Sequence, residues 1–217
     1  MTHPMFAFMG GTFDPIHNGH LRSALEVQQW LGIDAVHLIP ARAPVHRNAP
    51  GRSGEQRLAM VEAAVADTSA LVADPREVLS PKPSYTLLTL QALRQQVGEQ
   101  LPLCMIIGMD SLINLPSWHN WQALIGLSHI LVLKRPGYTF EPSGPLRQFM
   151  AEHQTDDKQQ LFDAPCGKVL IHEQTPLGIS ATQIRSLIEA GNSPRYLLPD
   201  SVWHYIKQYQ LYGYRTH

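Results

Sequence analysis

The sequence predicts an open, doubly wound α/β fold, a parallel sheet covered by helices on both faces, with a small helical part at the C-terminal end. Two observations carry that expectation. Short strand-like runs alternate with longer helical patterns along the chain, and the strand-like runs are apolar throughout rather than at every second residue. Antiparallel strands with one wet face alternate apolar and polar side chains, whereas strands roofed on both sides by crossover helices lose that alternation.

The first such run, MFAFM at residues 5–9, reads as a buried strand. HLRSALEVQQWL at 20–31 follows as an amphipathic helix, with Leu21, Ala24, Leu25, Val27, Trp30 and Leu31 on its apolar side. AVHLIP at 35–40 is the next strand and EQRLAMVEAAVAD at 55–67 the next helix. A helix at 86–97, strands at 103–108 and 129–135, a strand at 168–173 and helices near 181–190 and 200–209 complete the series. Residues 136–150, rich in Pro and Gly, read as an insertion or flexible excursion. Doubly wound sheets bind ligands beyond the carboxyl ends of their strands, near the point where strand order reverses. The loops after residues 9, 40, 108, 135 and 173 are therefore the places to look for chemistry.

Bulk composition narrows the function classes. At 217 residues, 44% hydrophobic and 16% charged, the chain can bury a substantial core, and a single domain over 1–217 is expected, its C-terminal helical portion starting at about 180. No apolar run reaches the ~18–20 residues of a membrane span, and the N-terminus lacks the pattern of a secretory leader, so a cytoplasmic protein is expected. Cys104 and Cys166 stand without CxxC spacing, which points to packing rather than a disulfide framework or zinc site. A net charge of −1 argues against a large nucleic-acid footprint and leaves room for a small anionic ligand.

The stretch GGTFDPIHNGH, residues 10–20, joins the first strand to the first helix. A strand-to-helix turn of this kind offers backbone N–H groups and a helix N-terminus to an anion. Gly10 and Gly11 remove side chains where a ligand approaches, Asp14-Pro15 forms the turn, and His17 and His20 fall three residues apart on one face of the first helical turn. Imidazoles there can donate to phosphate oxygens, and a polyphosphate favours their protonated form. The pattern is not GxGxxG, and no third residue at a suitable spacing completes a metal site.

Near the other end, Ser180 and Gln183 form an S-x-x-Q capping box ahead of IRSLIEAG, with Gly191 as the stop. The same helix start, with Thr182 as hydroxyl donor and Arg185 as fixed cation, suits phosphates. Between these ends lie APVHR with His46 and Arg47, and Ser84-Tyr85-Thr86 before a helix, where Ser84 or Thr86 can serve as the cap. Gly108 and Asp110 end a buried strand, with Asp110 able to accept from ribose hydroxyls or to cap the short helix that follows. Trp118 and Trp121 lie in a loop and short helix, readable as core or as a stacking surface, and Lys134 and Arg135 end a strand.

GGTFDPIHNGH with its HxGH at residues 17–20, and ISATQIR at residues 179–185 about 160 residues later, resemble the two hallmarks of the HxGH nucleotidyltransferase superfamily, whose fold is Rossmann-like. With SYT, GxDSL, the Trp loop and KRPGY in this order, the whole chain is similar to the bacterial nicotinate mononucleotide adenylyltransferases. That resemblance implies transfer of AMP from ATP to nicotinate mononucleotide, giving nicotinate adenine dinucleotide and pyrophosphate in NAD biosynthesis, with Mg²⁺ accompanying ATP and no protein residue assigned as a metal ligand. It implies catalytic roles for His17, His20 and Arg185, and nucleotide contacts from Gly10, Gly11, Thr12, Phe13, Gly19, His46, Arg47, Gly108, Asp110, Ile179, Ser180 and Thr182. It further implies an acceptor pocket of Ser84, Tyr85, Thr86, Trp118, His119 and Arg135, in which Trp118 stacks on the pyridine, Thr86 receives its carboxylate and Arg135 meets the mononucleotide phosphate. The chain departs from the family pattern at Val45, where the basic loop usually has a second proline, and at His119, where a Tyr is common. Nicotinamide mononucleotide and phosphopantetheine adenylyltransferases share HxGH, and a nucleotide-binding regulator without turnover is the alternative from another class. The expected partners are ATP and nicotinate mononucleotide, with no nucleic acid and no membrane, in a monomer or small homo-oligomer.

Overall fold

The computed structural model describes residues 4–42, 52–134, 139–175 and 177–215. In chain order the elements are β1 (Phe6–Gly11), α1 (Asn18–Leu31), β2 (Val36–Pro40), α2 (Gly54–Val65), β3 (Leu71–Ala73), α3 (Arg76–Leu79), α4 (Thr86–Val97), β4 (Leu103–Gly108), α5 (Met109–Ile113), β5 (His129–Lys134), α6 (Pro145–His153), β6 (Gln154–Thr155), β7 (Val169–Glu173), α7 (Ala181–Glu189) and α8 (Asp200–Gln208). The strands form one sheet in the order β3-β2-β1-β4-β5-β7-β6. From β1 the chain works outward through β2 to β3, then returns to lay β4 on the other side of β1. The doubly wound expectation holds, and the loop after β1 leaves the sheet where the order reverses, the usual ligand position in such sheets.

Contacts divide the chain into two compact units. The first comprises Met1–Gly10, Glu26–Val36 and Tyr85–Pro176. Within it β1 pairs parallel with β4, β4 with β5, and β7 with both β5 and β6. Phe6 stands opposite Leu103 and Cys104 opposite His129. β4 is buried from Leu103 to Ile107, as its unbroken apolar run predicts. His129 is a core histidine with both ring nitrogens engaged: Nε2 lies 2.8 Å from the Ala164 carbonyl and Nδ1 accepts from the Lys168 amide at 3.1 Å. Arg94 of α4 donates to the carbonyls of Gly98, Leu101, Leu127 and Pro165, tying together the loops at one end of these strands. Cys104 is wholly buried, which pushes its thiol up to about 12, and both cysteines are free, as expected of packing residues.

The second unit comprises Gly11–Leu25, His37–Ser84 and Leu177–His217. α2 begins with a full capping box: Ser53 Oγ accepts from the Gln56 amide and the Gln56 side chain accepts from the Ser53 amide, each at 3.2 Å. α8 packs on α2 with Val202 and Ile206 fully buried and Trp203 nearly so. Arg57 of α2 is completely buried, and each of its three side-chain nitrogens donates: Nη1 to the Thr12 carbonyl at 2.6 Å, Nη2 to that of Arg42 at 2.8 Å and Nε to that of Arg52 at 3.3 Å. A buried guanidinium needs such partners, because an unpaired one would cost several kcal/mol, by a rough estimate.

Differences from the sequence reading have local causes. The excursion expected at 136–150 contains the start of α6, where Pro145 occupies the first turn, a position at which its missing N–H costs nothing, and Gly144 precedes it at φ +55°. β3, α3 and β6 span three, four and two residues, too short to show a period. Among the described residues no helix is long and apolar enough to cross a membrane.

Candidate active site

The second unit carries the first loop and the late motif together. α1 starts at Asn18, because the His17 carbonyl already accepts from the amides of His20 at 2.9 Å and Leu21 at 3.2 Å. His17 is thus the residue that caps α1 through its backbone. The helix start is anchored from the far end of the chain, since the Asn18 amide donates to the Leu197 carbonyl and its side chain to the Tyr196 carbonyl, each at 2.9 Å.

The two imidazoles meet face to face, with centroids 3.7 Å apart and planes 23° apart, and the Phe13 ring meets His20 edge-on at 5.0 Å. Burial holds both bases far below the ordinary histidine range, His17 at about 4 and His20 at about 3, and the charge of His17 adds to the effect on His20. Neither Nδ1 has a hydrogen-bond partner among the described residues. A buried N–H at Nδ1 without an acceptor is costly, which favours the neutral tautomer with the proton on Nε2.

The glycines act differently from one another. A Cβ on Gly19 would stand 3.0 Å from Cε1 and Nδ1 of His17 and 3.6 Å from the Ile179 side chain, so Gly19 makes room for the stacked pair. A Cβ on Gly11 would meet the Phe13 ring at 2.9 Å, which gives Gly11 a packing reason in addition to ligand approach. Gly10 faces open space and is exposed. Phe13, 2% exposed, sits at φ +49°, an uncommon backbone for a residue with a Cβ, and its buried ring fixes it there. The Asp14-Pro15 peptide that follows is cis. Thr12 is half-buried and its carbonyl is held by Arg57.

The late motif approaches the same loop. Ser180 caps α7, its Oγ accepting from the Gln183 amide at 3.1 Å. Gly191, at φ +75°, ends the helix as expected. Arg185, one turn into α7, donates from Nη1 to the Asp14 carbonyl at 2.7 Å and from Nη2 to Thr182 Oγ1 at 3.3 Å. Histidines, arginine and threonine from segments about 160 residues apart in sequence are therefore brought to one loop in one compact unit. Ser84, also in this unit, does not cap α4; its Oγ accepts from the Arg42 amide at 3.0 Å.

Among the described residues, the remaining candidates lie in the first unit. Tyr85 is the residue before α4, whose first residue is Thr86; neither Ser84 nor Thr86 supplies a side-chain cap. The Tyr85 ring lies 4.8 Å from that of His119, at 36°. Trp121 packs edge-on against Phe149 at 5.0 Å, and Trp118 follows the 3-10 turn at Leu115–Ser117; both are half-buried. Gly108, exposed, ends β4, and Asp110 lies exposed in the first turn of α5 rather than capping it. Lys134, at the end of β5, pairs with Glu173 at 3.4 Å. His46, Arg47 and Arg135 lie outside the described residues. Sequence reasoning missed Arg57 and Tyr212, which belong to no local motif, and read Asp14 as a turn former without a role for its carboxylate.

Residues 8–187 match the model of the family described as cytidylyltransferase-like. The chain belongs to this cytidylyltransferase-like family. Among its relatives is a protein named "Probable nicotinate-nucleotide adenylyltransferase" from Hahella chejuensis, 47% identical over 97% of both chains. A protein of the same name from Aeromonas salmonicida is 46% identical over 94% of this chain and 95% of that one. Among solved structures, the Plasmodium falciparum nicotinic acid mononucleotide adenylyltransferase complexed with NaAD has the same fold, with a TM-score of 0.69 at 17% identity over 98% of this chain and 99% of that one.

Proposed function

We propose that the chain transfers the adenylyl group of ATP to nicotinate mononucleotide, forming nicotinate adenine dinucleotide and releasing pyrophosphate. The observation that carries this reading is the convergence of the stacked His17–His20 pair and the Arg185–Thr182 pair on the loop after β1, in a chain 47% identical to a relative named for this activity.

A phosphate oxygen of the mononucleotide attacks the α-phosphorus of ATP, a new P–O bond forms, and the bond from that phosphorus to the bridging oxygen breaks as pyrophosphate leaves. The attacking phosphate is anionic at neutral pH, so no general base is needed. Catalysis then rests on holding the groups in line and on stabilising charge on the triphosphate. His17 and His20 donate to phosphate oxygens, and the anion raises their affinity for protons as charge builds on the leaving group. Arg185 supplies a permanent cation, oriented by Asp14 and Thr182. This reading also gives His46 and Arg47 contacts with the nucleotide. The same reading assigns nucleotide contacts to Gly10, Gly11, Thr12, Phe13, Gly19, Gly108, Asp110, Ile179 and Ser180, and acceptor contacts to Ser84, Tyr85, Thr86, Trp118, His119 and Arg135.

Among the described residues no group of three His, Cys, Asp or Glu could hold a metal ion. Mg²⁺ in this reading arrives on the triphosphate, bound by its oxygens and by water, and neutralises part of its charge. The diffusible substrates fit a cytoplasmic enzyme acting as a monomer or small homo-oligomer, without nucleic acid or membrane.

The test is pyrophosphate release from MgATP with nicotinate mononucleotide, nicotinamide mononucleotide and phosphopantetheine assayed in parallel. A strong preference for the nicotinate compound is expected. Preference for another acceptor would overturn the pocket assignment, and ATP binding without release on any acceptor would mark a regulator.

A further inference from the structure

The transfer reaction does not directly use Tyr212, a buried tyrosine that follows α8. Tyr212 lies in a 3-10 turn at Leu211–Gly213, is 6% exposed and sits at φ +57°, between Leu211 and Gly213 at φ +74°. Gln210, just before, is at φ +49°. Non-glycine residues persist in this region only where their surroundings over-determine them. One contact at the ring and two at the hydroxyl do so here. The Arg52 guanidinium lies over the ring at 5.0 Å, Met60 Sδ approaches the hydroxyl at 4.0 Å, and the hydroxyl donates a 2.6 Å hydrogen bond to Asp14 Oδ1. Burial, with the Asp14 carboxylate beside it, pushes the phenol upward, so Tyr212 remains a donor across the working pH range.

Asp14 is also the residue whose backbone carbonyl accepts from Arg185. Two segments distant in sequence therefore end on one residue, the C-terminal turn through the carboxylate and α7 through the carbonyl. Asp14 stands one residue after Phe13, whose ring meets His20, and three before His17. A rotation of the Asp14 peptide would shift the acceptor that orients Arg185 and the loop that leads into His17.

We propose that Tyr212 is a positioning residue for adenylyl transfer: its hydroxyl, through Asp14, fixes the carbonyl that orients Arg185 and the loop that carries His17. Tyr212 touches neither substrate in this scheme and acts only through Asp14. The inference rests on the reading of the site given above, so pyrophosphate release by the wild-type protein is measured first; its absence would fail that reading rather than this one.

Given an active wild type, Tyr212→Phe keeps the ring and its contact with Arg52 and removes only the hydroxyl. The expected result is a fall in kcat of about tenfold, with the KM for nicotinate mononucleotide within about twofold, because orientation in the transition state is lost rather than acceptor binding. The same change made in an Arg185→Ala background is expected to cost about threefold, less than it does alone, since one of the two groups it positions is gone and the loop that carries His17 remains. Replacement of Tyr212 by 4-aminophenylalanine, which keeps both ring and donor, should restore kcat to within about threefold. A kcat for Tyr212→Phe within twofold of wild type would overturn the proposal, as would an undiminished tenfold loss in the Arg185→Ala background. If Tyr212→Phe does not fold, the 4-aminophenylalanine protein decides: activity near wild type supports the role, and a tenfold loss with the donor present refutes it.

Discussion

The imidazole of His17 lies flat against that of His20, centroids 3.7 Å apart, in a place where burial keeps both bases neutral. Two rings in contact cannot both take a proton without an anion to balance them. A triphosphate is such an anion, so the pair is a donor site whose charge follows its ligand. That arrangement suits a reaction in which charge accumulates on a leaving pyrophosphate.

His20 has the more strongly lowered base of the two, through burial and the charge of His17, and it is the donor on which turnover should depend most. His20→Ala is expected to lower turnover by roughly 10²–10³, about 2.7–4 kcal/mol, as loss of one transition-state hydrogen-bond donor does. Steady-state pyrophosphate release checks it. Weaker ATP binding with turnover intact would remove His20 from that role.

The same burial makes stability depend on pH. Both histidines have folded values below the ordinary 6.5, so between pH 6.5 and about 4 for His17, or about 3 for His20, the unfolded chain binds protons that the folded chain refuses. Their contribution is fully present above pH 6.5 and falls as pH drops. Urea unfolding at pH 7 and pH 5 is expected to show a loss on the order of 2 kcal/mol from this pair, after allowance for partial solvation. Because other buried histidines titrate too, the readout is the difference between wild type and His17→Gln/His20→Gln, whose profile should be flatter by that amount.

Gly19→Ala tests the stack without touching an imidazole. A Cβ at 3.0 Å from two His17 ring atoms must displace that ring, while alanine at the second position of α1 does not weaken the helix. Turnover is expected to fall at least about tenfold, with a thermal midpoint within a few degrees of wild type. Unchanged turnover would show that the stacked geometry is dispensable.

Trp118 and Trp121 are both half-buried, and the Trp121 ring packs against Phe149. Trp118→Ala is expected to raise the KM for nicotinate mononucleotide about tenfold and that for ATP less than about twofold, consistent with the loss of one aromatic stacking partner. Equal effects on both constants, together with lost stability, would assign it to the core.

The legible parts of this protein were those with a local cause. Strands such as β4 showed themselves because burial on both faces leaves an unbroken apolar run, and α7 because Ser180 and Gly191 mark its ends. Pro145 misled because proline inside a glycine-rich stretch reads as a breaker, although at a first turn it starts a helix. At Gly11 the sequence showed that a side chain was unwelcome but not that the Phe13 ring was the reason.

By itself the sequence determined the doubly wound class, the HxGH and ISATQIR segments and the residue types that can grip phosphate. Those features are set by periodicity, capping and side-chain chemistry within a few residues. Only the tertiary structure decided that His17 and His20 stack, that Arg185 donates to the carbonyl of Asp14, 171 residues away, and that Tyr212 reaches the same aspartate across 198 residues. A hydrogen bond between residues so far apart leaves no trace in local pattern, since its partners are chosen by where the packed elements bring the chain.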